Sequence, residues 1–165
     1  MPWNVFPPSC RVTEIMSDIH IDDFYKDVAL TFLRLYNSFP RKTILYTEDI
    51  CGEDEPDEFG LHSERFTAGF STMVWLGEQG YLKYDAPIKQ EALDQAVLTE
   101  RGFLLLSSRS ALNFGDPVIG ETKASDIPSS VMEQSKTNIN QLRKAIKSQS
   151  SIMISQAVRY MLDAN

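Results

Sequence analysis

The chain is poor in the residues that build metal centres, disulfide frameworks and nucleophilic active sites. Its 165 residues include two cysteines, Cys10 and Cys51, and two histidines, His20 and His62. Two cysteines make no disulfide framework, and no paired Cys or His occurs at the short spacing that holds zinc. No run approaches the ~18 consecutive apolar residues of a membrane span. Glycine-rich phosphate loops, a serine nucleophile elbow and Asn-X-Ser/Thr sequons are all missing. Met1-Pro2-Trp3-Asn4 lacks the basic region and apolar run of a secretory signal. These absences predict a non-enzymatic, cytoplasmic protein of a reducing compartment, with no cofactor, metal, small-molecule ligand or membrane contact.

Positive charge is also scarce. Sixteen Lys and Arg stand against 23 Asp and Glu, a formal charge of −7, with a pI near 4.8. Such a balance disfavours a strongly basic nucleic-acid binder. The deficit is local: residues 1–110 carry −8, whereas residues 111–165 carry +1. Glu48 to Glu64 holds eight acids (Glu48, Asp49, Glu53, Asp54, Glu55, Asp57, Glu58, Glu64) and no Lys or Arg. Repulsion predicts a solvated, extended loop there. An EF-hand is excluded, because from Asp54 onward Pro56 and Phe59 fall where a ligand and a glycine belong.

With 42% apolar residues the composition is that of a globular chain, and the length suits one compact domain or a small domain plus an accessory helix. Residues 1–20, with Pro2, Pro7 and Pro8, read as an irregular arm. A helix is expected from Asp22 or Asp23, with Phe24, Val28, Phe32 and Leu35 on its inner face and Pro40 after its end. Thr43 to Tyr46 reads as a strand, and Thr47-Glu48-Asp49 as a brief helical turn closed by Gly52. A second helix is expected over 63–79, with Ser63 and His62 as cap candidates and Gly80 as its stop. Its inner face is either Phe66, Phe70, Met73 and Gly77 or Phe66, Gly69, Met73 and Leu76; both leave Glu64, Ala68, Ser71 and Trp75 outside. Tyr81 to Tyr84 and Gln95 to Thr99 read as strands around a loop over 85–94, and Thr99 as the cap of a helix over 100–108. Residues 109–128 read as a linker rich in Gly, Pro, Asp and Ser. From Ser129 to Asn165 there is no Pro or Gly, and Ile139, Leu142, Ile146, Met153, Ala157 and Met161 trace one long amphipathic helix, with a kink at the polar run 147–151.

Two fragments resemble the winged helix-turn-helix superfamily, in particular its bacterial regulators. Trp75-Leu76-Gly77-Glu78-Gln79-Gly80-Tyr81-Leu82 looks like the junction between recognition helix and wing strand. Ala96-Val97-Leu98-Thr99-Glu100-Arg101-Gly102 looks like the Leu-Thr-x-x-Gly turn that follows the wing, and Phe59-Gly60-Leu61 resembles the turn before the recognition helix. The resemblance implies an α+β, mostly helical fold: a winged helix over 21–108 with a short β-hairpin wing, followed by the long C-terminal helix.

On that scaffold, DNA would be met by Arg65, Thr67, Ser71 and Thr72, with Lys83 and Lys89 in the wing. Arg65 is the only base on the helix, and the acidic run lies where phosphates would approach. Trp75, beside Ala68, Ser71 and Glu64, is instead a candidate anchor for a protein partner, in competition with burial inside its own chain. The expectation is a regulatory module acting through protein contacts, with a dimeric DNA-binding transcriptional regulator as the alternative. The stripe from Ile139 to Met161 is expected to form a homodimer.

Overall fold

The first helix is the axis on which most of the other helices and the central strand pack. The computed structural model describes residues 18–115 and 128–164. It opens with α1 (Ile19–Ser38) and continues through β1 (Thr43–Tyr46), α2 (Glu48–Cys51), α3 (Glu64–Glu78), β2 (Leu82–Lys83), β3 (Ala86–Ile88), β4 (Ala92–Leu98) and α4 (Glu100–Ser107). The last three elements are α5 (Ser129–Ser135), α6 (Asn138–Ser148) and α7 (Ser151–Asp163). Among the described residues this is an α+β fold, mostly helical. The predicted arm over 1–17 and most of the linker (116–127) lie outside the described residues.

Helix α1 starts ahead of the expected Asp22, because the carbonyl of Asp18 already accepts from the N–H groups of Ile21 and Asp22. Val28, Ala29, Phe32 and Leu35 are buried. The contacts of α1 run to α2, α3, β4, α4, α6 and α7, so it is covered from several sides. Asp27 and Thr31 are buried on it as well.

The sheet is small and antiparallel, and β4 is its centre. Strand β1 lies on one side of β4, while β2 and β3 pair with successive stretches of the other side. Three residues of β1, from Thr43 to Leu45, face four of β4, from Ala96 back to Leu93. The extra residue makes a bulge, and Gln95 there adopts a left-handed backbone with φ 53°. The predicted loop over 85–94 is corrected: it is itself the hairpin β3–β4, with Pro87 opposite Leu93 and a turn at Lys89. All three residues of β3 are exposed. Without a buried face the strand shows no alternation of apolar residues, and Pro87 argued against a strand.

The expected single C-terminal helix is corrected to three. Gln149 takes a left-handed conformation, φ 56°, that ends α6, and the Ser150 hydroxyl accepts from the N–H of Met153 to begin α7. The two helices pack on each other and on α1. Ile139, Leu142, Ala157 and Met161 are therefore buried inside the chain, with Ile146 and Met153 packed against the same core. The stripe expected to be a dimer seam is accounted for by intramolecular burial.

Polar ties bring the segment after α4 alongside the start of α6. Asn138 donates through Nδ2 to the Leu105 carbonyl and through its backbone N–H to Ser108. Gln141, buried, accepts from Phe114 and donates to Ser135. No helix among the described residues is long and apolar enough to cross a membrane.

Candidate interaction surface around the third helix

Two turns, one at each end, position α3. At the N-terminal end, Ser63 caps the helix by accepting from the Phe66 N–H at 3.2 Å. The buried face is Phe66, Gly69, Thr72, Met73 and Leu76, the second of the two phasings open to sequence. Gly69 selects it. A Cβ built there would lie 2.9 Å from the Cys51 sulfur, so glycine permits α2 to press against α3. Burial pushes the Cys51 thiol pKa up, and the thiol donates to the Thr47 carbonyl.

At the C-terminal end, Gly80 turns the chain with φ 79°. The Thr99 hydroxyl donates to the Gly80 carbonyl at 2.6 Å and accepts from the Gly102 N–H at 3.2 Å. One side chain thus caps α4 and clamps the turn after α3. Gly102 completes the clamp, since a Cβ there would meet the Tyr81 carbonyl oxygen at 2.1 Å. Arg101 donates to the Gln79 carbonyl and lies over the Tyr81 ring at 4.5 Å. These contacts give a physical reason for the Leu98-Thr99-x-x-Gly102 pattern.

The outward face of α3 presents Glu64, Thr67, Ala68 and Ser71, all exposed. Lys83 on β2 and Lys89 at the hairpin turn are exposed too. Three other residues expected on this surface are placed differently. Thr72 is buried and donates to the Ala68 carbonyl at 2.9 Å, which removes it from any contact set. Trp75 is half-buried, edge-on to Phe24 of α1 at 5.2 Å between ring centroids. Arg65 turns inward. Its guanidinium forks onto Asp27 with nitrogen–oxygen distances of 2.7 and 2.6 Å, and its Nε lies 3.5 Å from Asp23.

The Arg65–Asp27 pair is the strongest electrostatic feature of this surface. Asp27 is 1% exposed. Burial raises its pKa above the ordinary carboxylate value, and the hydrogen bonds and charge of Arg65 pull it back down. The same hydrogen bonds raise the Arg65 pKa further. Sequence reasoning passed over Asp27. The available signal was a carboxylate at the position before Val28, on the face that carries Phe24, Thr31 and Phe32, where a charge needs a partner.

The segment between α2 and α3 is a largely exposed loop, as the acidic run implies, but its own carboxylates fold it into a turn where an extended course was expected. Asp57 accepts from the N–H groups of Phe59 and Leu61, both at 2.9 Å. Asp54 accepts from the Ser63 N–H at 3.1 Å and meets His62 Nδ1 at 2.9 Å. Hydrogen bonding by Ser63, reinforced by His62, holds Asp54 below its usual value. His62 stacks on Phe66 at 4.2 Å, joining the loop to α3. Arg34 of α1 reaches Asp49 at 3.0 Å. Beside its exposed carboxylates the loop leaves two large apolar side chains outside: Phe59 is 78% exposed and Leu61 65%.

Among the described residues, no group of three or more His, Cys, Asp or Glu side chains converges as a metal site would require. In comparisons with protein-family models, curated proteins and solved structures, the chain matches none.

Proposed function

We propose that residues 21–108 form a winged helix-turn-helix module and that it is a non-enzymatic regulator working through protein contacts. The order of helix, strand, short helix, helix, strand and hairpin supports the fold reading, with α3 as the recognition-type helix and β3–β4 as the wing. The observation that carries the functional reading is the fate of Arg65. The only base on α3 is held by a buried carboxylate, and the helix begins directly after the acidic loop. A phosphate backbone approaching this end meets carboxylates, whereas Ala68, Ser71, Glu64 and the half-exposed Trp75 offer a protein a mixed surface.

A second reading, a dimeric DNA-binding regulator, is favoured by the exposure of Thr67, Ser71, Lys83 and Lys89 on α3 and the adjoining strands. A mobility-shift assay on random and genomic duplexes at low and moderate salt separates the two. The expected result is no sequence-selective retention, together with discrete protein adducts from a photocrosslinker placed at Ser71. Saturable, selective retention that disappears in Lys83→Ala/Lys89→Ala overturns the protein-contact reading. Arg65→Ala cannot serve in this assay, because it uncovers a buried charge and perturbs the fold itself.

A further inference from the structure

We propose that His62 is a proton-operated latch, which ties the loop between α2 and α3 to the turn of the β3–β4 hairpin when its ring is charged and releases it when the ring is neutral. The latch is a property of the fold and holds whether this surface meets protein or DNA.

One imidazole touches three elements. Its Nδ1 meets Asp54 in the loop at 2.9 Å, and its Nε2 lies 3.6 Å from Glu91 in the hairpin turn. Its face stacks on Phe66 of α3, with 19° between the ring planes. The side chains of His62 and Asp54 are each 13% exposed, whereas that of Glu91 is 49% exposed. Each carboxylate is anchored by its own surroundings: Asp54 accepts from the Ser63 N–H, and the Glu91 carbonyl accepts from the Thr47 N–H. The ring spans the gap between them. It stands between Leu61 and Ser63, the cap of α3, and so at the point where the loop joins the helix.

Both carboxylates are served together only by the charged ring. Imidazolium carries an N–H on each nitrogen; neutral imidazole carries one. In the charged form Nδ1–H donates to Asp54 and Nε2–H faces Glu91. Asp54 stays an ionised acceptor, because hydrogen bonding by Ser63 and His62 holds its carboxyl below the usual value. When the ring gives its second proton to solvent, the nearer and better shielded Asp54 keeps the remaining N–H. The Nε2 lone pair is then turned to the Glu91 carboxylate, and two acceptors with no hydrogen between them repel. Closure takes up a proton, so acid favours the latched arrangement and rising pH opens it. Among the described residues, Asp54 and Glu91 are the carboxylates in ion-pair contact with the ring. Of the other ionisable groups on the packed elements, Arg65 is held by Asp27, Asp49 by Arg34, and Cys51 donates to the Thr47 carbonyl. Glu64 of α3 and Lys89 of the hairpin are exposed and of opposite sign, and Asp94 is half-buried.

Proton NMR of the full chain between about pH 5 and 8.5, the range in which histidines ordinarily exchange a proton, tests the latch. His20→Gln, at an exposed position, leaves His62 as the one histidine to be followed. The expected result is that nuclear Overhauser contacts between the His62 ring and the Glu91 side chain are present in acid and fade as the ring titrates. The Asp54 and Glu91 amides should follow the same midpoint. Glu91→Gln, a surface change, should lower the His62 midpoint by about 0.3 in pH or more in ~50 mM salt, with the unfolding midpoint unchanged. A ring that titrates while its contacts to Glu91 persist overturns the proposal. So does a ring that does not titrate in this range, or a midpoint indifferent to Glu91→Gln. None of these outcomes touches the protein-contact reading, which stands or falls on the mobility shift and the crosslinks from Ser71.

Discussion

The two turns that bracket α3 are held by opposite means. After the helix, the chain is clamped by contacts between α4 and the turn: the part-buried Thr99 hydroxyl between Gly80 and Gly102, the Tyr81 carbonyl pressed against Gly102, and the exposed Arg101 guanidinium over Tyr81. Before the helix, carboxylates at the surface fold the loop by accepting backbone N–H groups, and its large apolar side chains point away from the body. One turn gives its interactions to the fold. The other is shaped largely by its own carboxylates, with His62 stacked on Phe66, and leaves Phe59 and Leu61 exposed. The contacts that hold the fold together here are therefore concentrated after α3.

The largest effect expected from this contrast is at Gly102. Gly102→Ala drives a methyl group into a backbone carbonyl that cannot step aside, and should cost about 3 kcal/mol or more in denaturant unfolding. A loss below about 1 kcal/mol would mean that the clamp yields more readily than its geometry implies.

Next is the buried pair. Arg65→Met leaves Asp27 without its counter-charge and should cost about 3 kcal/mol at neutral pH. The pH dependence then has a definite sign. With burial unopposed, the folded-state pKa of Asp27 lies further above the ordinary 3.8. The folded chain then binds more protons than the unfolded one above 3.8, so the deficit relative to the parent chain grows as pH rises through the folded pKa and shrinks in acid. A deficit that is flat with pH would show that Asp27 is not the group left stranded.

A smaller effect comes from Asp54. Its depressed pKa contributes stability that is present above the unfolded value of 3.8 and is lost as pH falls through the folded value. Asp54→Asn should remove that acid-side loss, measured as a flatter dependence of the unfolding midpoint on pH below 3.8. The smallest effect belongs to the loop tip: Asp57→Ala should change global stability by less than about 1 kcal/mol while raising amide exchange at Phe59 and Leu61. A global loss as large as that of Gly102→Ala would erase the distinction between the two turns.

Features written in local chemistry are legible without the fold. Ser63 and Thr99 cap the helices expected of them, and Gly52 and Gly80 turn the chain with positive φ where helical patterns stop. Each depends on residues a few positions apart. Features decided by partners distant in sequence are not legible. The choice between two α3 phasings depends on Cys51 lying against Gly69, and Arg65 turns inward because Asp27 stands on α1. The elbow at Gln149 has no glycine or proline to announce it, only the polar run and Ser150, whose hydroxyl caps α7. The stripe from Ile139 to Met161 is apolar, as its spacing implies. Apolarity alone does not say whether the covering surface belongs to the same chain.

Because α7 closes over α1, the first described helix to be synthesised waits for the last. Translation at roughly 5–20 residues per second leaves roughly a hundred residues, and several seconds, between them. Throughout that interval the face of α1 bearing Phe32 and Leu35 has no C-terminal helices to cover it. Contacts spanning such a distance along the chain slow folding and lengthen the exposure of sticky surface. A fragment that stops before Asn138 would carry the same uncovered helix permanently.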